Sequence, residues 1–205
     1  MNRRDFLRNG LKGTAAYALL PATLLGSNTV FAKKSSPQAD PTEDEVESLL
    51  YMREEEKLAR DVYLTMYDTW GTHVFSNIAD SEQVHTLAVK DKLEKYGIED
   101  PVQDNPVGIF VNEKLQALYD TLIEQGSVSE MDALWVGAAI EEIDMIDLQE
   151  AIDSSDHRDI ARVYQNLMDG SKNHLRAFVS VIETNGMDYS AQYLSQGEVD
   201  EILNG

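Results

Sequence analysis

The 205-residue sequence contains no cysteine. This absence excludes disulfide bonds, cysteine-ligated zinc sites, iron–sulfur clusters held by thiolates and a cysteine nucleophile. Any bound metal ion would therefore be held by histidine, by carboxylates or by other oxygen ligands.

Basic residues and long apolar runs are also scarce. The chain has 17 Lys and Arg residues against 37 Asp and Glu residues, a formal net charge of −20. Because a phosphate backbone is bound by clustered cations, this balance argues against a nucleic-acid partner. The uncharged stretch from Gly13 to Phe31 is interrupted by Pro21, Gly26 and Asn28. It is too short and too broken for a stable membrane-spanning helix.

The N-terminal residues differ from the rest of the chain. The sequence Arg3-Arg4-Asp5-Phe6-Leu7 precedes the uncharged stretch, and Val30-Phe31-Ala32 places small residues where a signal peptidase cleaves. This pattern resembles a twin-arginine export signal, which implies that residues 1–32 are removed and that the mature protein is periplasmic or extracellular. The alternative is an N-terminal anchor that stays attached. Residues 33–44 are polar, contain two prolines and are expected to form a linker.

The remainder of the chain has the periodicity of helices. Apolar residues recur every three or four positions over residues 45–70, 74–96, 129–152 and 158–184. A shorter segment with the same spacing, residues 112–126, lies in the connection between the second and third long segments. No stretch alternates with a period of two, so we predict an all-α fold. The expected architecture is an antiparallel four-helix bundle over residues 45–184, with a long crossover containing an extra short helix and a C-terminal tail at 185–205.

Each long segment carries ionisable residues in the middle of its apolar face. They are Glu56, the pair Glu82 and His85, Glu141, and His174. Burying an unpaired charge costs several kcal/mol, so such residues must be paired, neutralised or bound to a metal ion. Carboxylates and imidazoles that converge inside a helical bundle are typical of metal sites. These five residues are therefore candidate metal ligands, and Asp144, one turn from Glu141, is a candidate extra carboxylate. The alternative is a metal-free network of salt bridges between Glu and protonated His.

Three segments also resemble a known family. Glu56-Lys57-Leu58-Ala59-Arg60-Asp61-Val62-Tyr63, Glu82-Gln83-Val84-His85 and Glu141 with Asp144 resemble ligand segments of rubrerythrin-like, ferritin-like di-iron proteins. The segments 53–61, 81–85 and 170–176 are most similar to the bacterial and archaeal family known as domain of unknown function 2202. This resemblance implies a ferritin-like bundle holding one or two ions of iron or another divalent transition metal, with no organic cofactor. The chemistry it implies is reduction of peroxide or dioxygen, or oxidation of Fe(II).

The sequence departs from the di-iron pattern at one position. Ser171 stands where the fourth helix of that pattern has a Glu, so one carboxylate ligand of the pattern is replaced by a hydroxyl group. With Asp144 counted, four carboxylates remain, and their charge balances two divalent ions. Competing hypotheses are a metal-free structural or interaction bundle and a protein that sequesters metal without turnover. A homo-oligomer is compatible with each of these hypotheses.

The neighbouring polar residues have simpler expected roles. We expect Glu54, Glu55 and Glu142 to lie on the solvated surface, although a one-residue change of helical phase would exchange Glu141 for Glu142. Arg60 is expected to pair with Glu56, four residues away. His73 and His157 are expected to be exposed.

Overall fold

A computed structural model describes residues 40–103 and 106–205. In this part of the chain there are six helices and no strand: α1 Glu43–Trp70, α2 His73–Tyr96, α3 Glu113–Gly126, α4 Glu130–Ser154, α5 Arg158–Thr184 and α6 Gln196–Asn204. The all-α prediction is confirmed. The predicted export signal, residues 1–32, lies outside the described residues.

The helix boundaries follow from local sequence signals. Thr42 and Glu45 form a capping box at the start of α1, and Gly71 ends the helix at φ 74°, a left-handed conformation that favours glycine. Gly97 ends α2 in the same way, at φ 67°. Asn112 and Ser129 cap α3 and α4 with side chains that accept hydrogen bonds from backbone N–H groups of the first turn.

The four long helices pack as antiparallel neighbours. Helices α1 and α2 form one pair and α4 and α5 another, while α1 also contacts α4 and α2 contacts α5. Contacts between α1 and α4 run in opposite sequence directions, because Tyr63 lies beside Gly137 and Glu55 beside Asp147. The short helix α3 packs against both α1 and α4. The centre of the molecule is therefore lined by all four long helices.

Polar residues of α1 hold the crossover in place. Lys57 donates to the carbonyl oxygens of Pro106 (3.0 Å) and Ile109 (3.1 Å) and forms a buried ion pair with Asp61. Glu54 accepts hydrogen bonds from the backbone N–H groups of Val111 and Asn112 at 2.6 and 3.0 Å. The expectation that Glu54 is solvated is wrong, because its carboxylate is buried beneath the crossover and caps the backbone there.

A second buried carboxylate holds the C-terminal segment. Glu142 accepts hydrogen bonds from the Tyr189 hydroxyl (2.7 Å) and from the backbone N–H groups of Gln192 (2.8 Å) and Leu194 (2.9 Å). The expectation that Glu142 is solvated is also wrong, since the segment before α6 covers it.

The histidines outside the bundle centre differ in exposure. His73, the first residue of α2, is exposed as expected. His157 is buried, contrary to expectation, because its Nδ1 and its backbone N–H both lie 2.8 Å from the Glu45 carboxylate. Within residues 40–103 and 106–205, no helix has the length and apolar character needed to span a membrane.

Candidate metal centre

The structure brings the six predicted ligands together in the middle of the bundle. Helix α1 contributes Glu56, α2 contributes Glu82 and His85, α4 contributes Glu141 and Asp144, and α5 contributes His174. All six side chains are buried. The helical spacing that placed them on core faces therefore also places them beside one another.

Glu82 is the central residue of this cluster. Its Oε1 lies 2.7 Å from His174 Nδ1, and its Oε2 lies 2.8 Å from His85 Nδ1. Each histidine also faces a second carboxylate: His85 Nδ1 is 3.2 Å from Glu56 Oε2, and His174 Nδ1 is 3.4 Å from Glu141 Oε2. Both imidazoles thus direct Nδ1 at two carboxylates.

The arrangement of ligand atoms suits a metal ion. Glu82, His85 and His174 each offer an atom within 4.8 Å of the other two, close enough for the three side chains to hold one metal ion between them. Glu56 Oε1 and Asp144 Oδ1 are buried and have no hydrogen-bond partner among the described residues. Buried polar atoms are rarely left without a partner, so these two oxygens are candidate additional ligands.

Residues around the cluster hold the ligands in position. Ser81 Oγ lies 2.8 Å from His174 Nε2, on the side of the ring opposite the carboxylates. A Cβ at Gly170 would lie 2.4 Å from His85 Nε2, so this position leaves room for the imidazole only as glycine. A hydrogen-bond partner on the outer nitrogen of a ligand histidine fixes the orientation of its ring, and Ser81 is such a partner for His174.

The carboxylates on α4 have their own hydrogen-bond donors. The Tyr63 hydroxyl donates to Glu141 Oε1, and the Ser171 hydroxyl donates to Asp144 Oδ2 at 2.5 Å. Ser171 therefore orients Asp144. The fourth long helix, α5, thus provides a hydroxyl group that holds a carboxylate of α4.

The histidines and Glu82 stabilise one another as ions. Burial alone would raise the pKa of Glu82, but hydrogen bonds from His174 and His85 outweigh it and lower the pKa to about 2. Burial would lower the pKa of both histidines, but the carboxylates at hydrogen-bond distance raise it to about 11 for His85 and about 10 for His174. Without a metal ion, both imidazoles are therefore cationic at neutral pH.

The other carboxylates are shifted in the opposite direction. Burial and the charge of Asp144 raise the pKa of Glu56 well above its usual range, and burial also raises the pKa of Glu141. Burial and the charges of Glu141 and Glu82 raise the pKa of Asp144 to about 8. Four carboxylates and two imidazolium ions give 2 − 4 = −2 when all are ionised. In the absence of a cation, some of these carboxyl groups consequently take up protons.

Two expectations about neighbouring residues are wrong. Arg60 binds the Asp61 carboxylate (2.9 Å) and the Gln83 side chain (2.6 Å) instead of Glu56, whose carboxylate lies beside His85. Glu55 is buried rather than solvated, and its carboxyl group faces Tyr51 and Asp147. The sequence contained one indication that Glu55 has acidic neighbours: Glu141, Asp144 and Asp147 recur at intervals of three along α4. Glu141 and Glu142 are both buried, but Glu141 faces the cluster.

Comparisons with known proteins agree with this architecture. The family described as Uncharacterized protein domain (DUF2202) matches residues 45–205. Uncharacterized protein MJ0754 of Methanocaldococcus jannaschii is 52% identical over 170 residues, which cover 83% of this chain and 92% of that protein. The crystal structure of hypothetical protein MJ0754 from Methanococcus jannaschii superposes with a TM-score of 0.80 at 51% identity, covering 84% of this chain and 98% of that chain. The chain belongs to the DUF2202 family, as the resemblance of its helix segments predicts.

Proposed function

We propose that this chain is an exported, ferritin-like helical bundle that binds one or two transition-metal ions, with iron as the first choice. The ligands would be Glu56, Glu82, His85, Glu141, Asp144 and His174. The observation that carries the proposal is the buried group of Glu82, His85 and His174, whose ligand atoms lie within 4.8 Å of one another. The unpartnered oxygens of Glu56 and Asp144 support it.

The ligand types support a divalent transition metal. Imidazole and carboxylate together suit iron, zinc and manganese, whereas the absence of cysteine removes the thiolates that copper(I) prefers. When the two histidines are neutral, the four carboxylates balance the charge of two divalent ions. The hydrogen bond from Ser171 orients the Asp144 carboxylate, which stands in for the carboxylate that the fourth long helix lacks. This fourth carboxylate supports a site for two ions.

The protein groups would bind the ions and keep them away from bulk water. An iron centre held there would supply reduction of peroxide or dioxygen, or the oxidation of Fe(II). Ser81 and Gly170 would fix the two imidazole rings, and Tyr63 would hold Glu141 through the hydrogen bond from its hydroxyl. Purely structural binding and sequestration would use the same ligands, so oxygen and peroxide consumption by the metal-loaded chain distinguishes storage from turnover.

Metal content is the direct test of this proposal. The chain is purified without chelators, loaded anaerobically with Fe(II), freed of excess metal and analysed for elements. We expect one to two ions per chain, and a content below about a tenth of an ion would refute metal binding. Replacing both Glu82 and His85 by Gln is expected to abolish binding. The control H157Q removes the buried histidine that pairs with Glu45 and should leave the metal content unchanged.

Export requires a separate test. The paired arginines Arg3 and Arg4, followed by Phe6 and Leu7, support the twin-arginine route, which carries folded proteins. In a bacterium with this pathway, we expect the chain to be recovered outside the cytoplasm with a mass that begins at residue 33. Replacing both arginines by Lys should leave the full-length chain inside the cell, and export of that variant would contradict the assignment.

A metal-free bundle is the second candidate, and one observation favours it. Both histidines are paired with carboxylates that raise their pKa, so the cluster forms ion pairs without any metal. In that case the buried polar groups lower stability relative to apolar residues of similar volume. The variant E82Q/H85L would then unfold at the same or a higher temperature in the presence of metal. A metal-binding centre predicts the reverse, because the ion stabilises only the chain that can bind it.

A further inference from the structure

A second group of carboxylates lies beside the candidate centre, where α1 faces α4. It consists of Glu55 on α1 and Asp147 on α4, next to Asp144 of the centre itself. Glu55 and Asp144 are each only 6% exposed, whereas Asp147 is half-buried. The group therefore extends from the interior towards the surface.

The contacts within this group leave oxygen atoms without donors. The carboxyl groups of Glu55 and Asp147 are at hydrogen-bond distance, and the Tyr51 hydroxyl donates to Glu55 Oε1 at 3.3 Å. Glu55 Oε2 and Asp144 Oδ1 are buried and have no hydrogen-bond partner in the described part of the chain. Buried oxygen atoms without a donor are places where a cation would be favoured.

The acidic residues of α4 differ in exposure and direction. Asp144 and Asp147 are three residues apart, so their side chains are neighbours on the helix. Asp144 is buried and Asp147 is half-buried, so this pair leads from the interior towards the surface. Glu150 is exposed and lines a surface cavity with Lys172 and Arg176 of α5, on the opposite side of α4 from Glu141.

We propose that Glu55 and Asp147 form a transit site, through which divalent cations pass from the surface between α1 and α4 to Asp144 and the centre. This inference rests on the proposed function. Carboxylates bind divalent cations through oxygen, with water completing the coordination. The transit site offers two carboxylates and no imidazole, so it binds a transition-metal ion more weakly than the centre does. Weak binding allows the ion to move on.

The competing path lies between α2 and α5. The side chains of His85 and His174 are 11% and 8% exposed, so an ion arriving on that side meets imidazole rings first. An ion arriving between α1 and α4 meets the carboxylates of Asp147, Glu55 and Asp144 instead, and clefts lined by negative charge raise the rate of cation capture.

The rate of metal uptake tests the transit site. The chelator-treated full-length chain is mixed with Co²⁺ in a stopped-flow instrument, and the visible absorbance of bound Co²⁺ is followed to equilibrium. The test variant E55Q/D147N removes two carboxylates of the transit site. The control E150Q/D153N removes the same number and kinds of carboxylate from exposed positions of the same helix.

We expect E55Q/D147N to take up Co²⁺ at least about tenfold more slowly than the unchanged chain, with the same final stoichiometry. The control should stay within about twofold of the unchanged rate. Equal rates in all three chains, or equal slowing in both variants, would overturn the transit site and leave the metal centre standing. Loss of stoichiometric binding in E55Q/D147N would also overturn it, because Glu55 and Asp147 would then be permanent ligands. If the unchanged chain binds no Co²⁺ and no Fe²⁺, the proposed function fails and the transit site fails with it.

Glutamine and asparagine keep the shape of the replaced side chains and relieve repulsion between like charges. The metal-free test variant is therefore expected to unfold at a temperature no lower than the unchanged chain. Circular dichroism during heating checks this, so that a slow uptake rate is assigned to the missing carboxylates only in a folded variant.

Discussion

Metal binding to this chain is expected to release about three protons per chain at pH 7. In the metal-free cluster, His85 and His174 have pKa values of about 11 and 10, and Asp144 has a pKa of about 8. All three groups therefore hold a proton at neutral pH. Metal ligands must give up their protons, so filling the centre displaces these three, and the raised pKa of Glu56 acts in the same direction.

The sign of the pH dependence follows from these shifts. Because protons compete with the metal, raising the pH from 6 to 7 should increase the association constant by about three orders of magnitude. The metal-free fold behaves in the opposite way. Its histidines and Asp144 have pKa values raised above the reference values of 6.5 and 3.8, so the stability they contribute declines as the pH rises above those reference values. The loss is complete above about pH 8 for Asp144 and above about pH 10 to 11 for the histidines. As the pH rises, the gain in unfolding free energy that metal provides should therefore increase, while the unfolding free energy of the metal-free chain should fall.

Proton release is measured by titrating the chelator-treated chain with Co²⁺ in weakly buffered solution and recording the base needed to hold the pH. The exposed His73 provides a matched control, and H73Q should release as many protons as the unchanged chain. The variant H174Q should bind more weakly and release fewer. Stoichiometric binding with less than about one proton released per chain would refute the reasoning, since the histidines would then be neutral before metal binds or would lie outside the ligand set.

Three substitutions test the surroundings of the cluster. G170A places a methyl group against the His85 ring and should weaken Co²⁺ binding at least about tenfold in equilibrium titrations; G197A, where no atom lies within 4 Å of the added Cβ, should have no effect. S171A removes the donor to Asp144 and should weaken the second of two Co²⁺ binding steps by about tenfold while sparing the first. E142Q disrupts hydrogen bonds to the backbone and the Tyr189 hydroxyl, so the free energy of unfolding in urea should fall by about 3 kcal/mol. Equal stability of E142Q would mean that the C-terminal segment is held by other contacts.

The helices and the central cluster were predictable because both depend on spacing along single helices. Apolar residues at intervals of three and four identify a helix and its core face, and an ionisable residue in the middle of that face must lie inside the bundle. Glu82 and His85 illustrate this, since their spacing of three places both on the side of α2 that faces α1 and α5. Their contacts with Glu56 and His174 follow once four such helices pack together.

Glu54, Glu55 and Glu142 were not predictable in the same way. Assigning one buried and one solvated face suits a helix with neighbours on one side only. Helix α1 contacts α2, α3 and α4, and α4 contacts α1, α3 and α5. On such helices most directions are covered, so a polar residue away from the main core face is still buried. Glu54 is covered by the crossover, Glu142 by the C-terminal segment and Glu55 by α4, and the sequence of a single helix contains no information about where those parts of the chain lie.

The run Glu54-Glu55-Glu56 shows what separates a structural acid from a metal-dependent one. Successive residues of a helix point about 100° apart, so the three carboxylates reach the crossover, the transit site and the cluster respectively. Both oxygens of Glu54 accept hydrogen bonds from backbone N–H groups, whereas Glu55 and Glu56 each keep one buried oxygen without a partner in the described structure. A carboxylate whose donors are built into the fold is satisfied whether or not a cation is present. We therefore expect a bound cation to satisfy Glu55 and Glu56 and to be unnecessary for Glu54, although all three residues are glutamate.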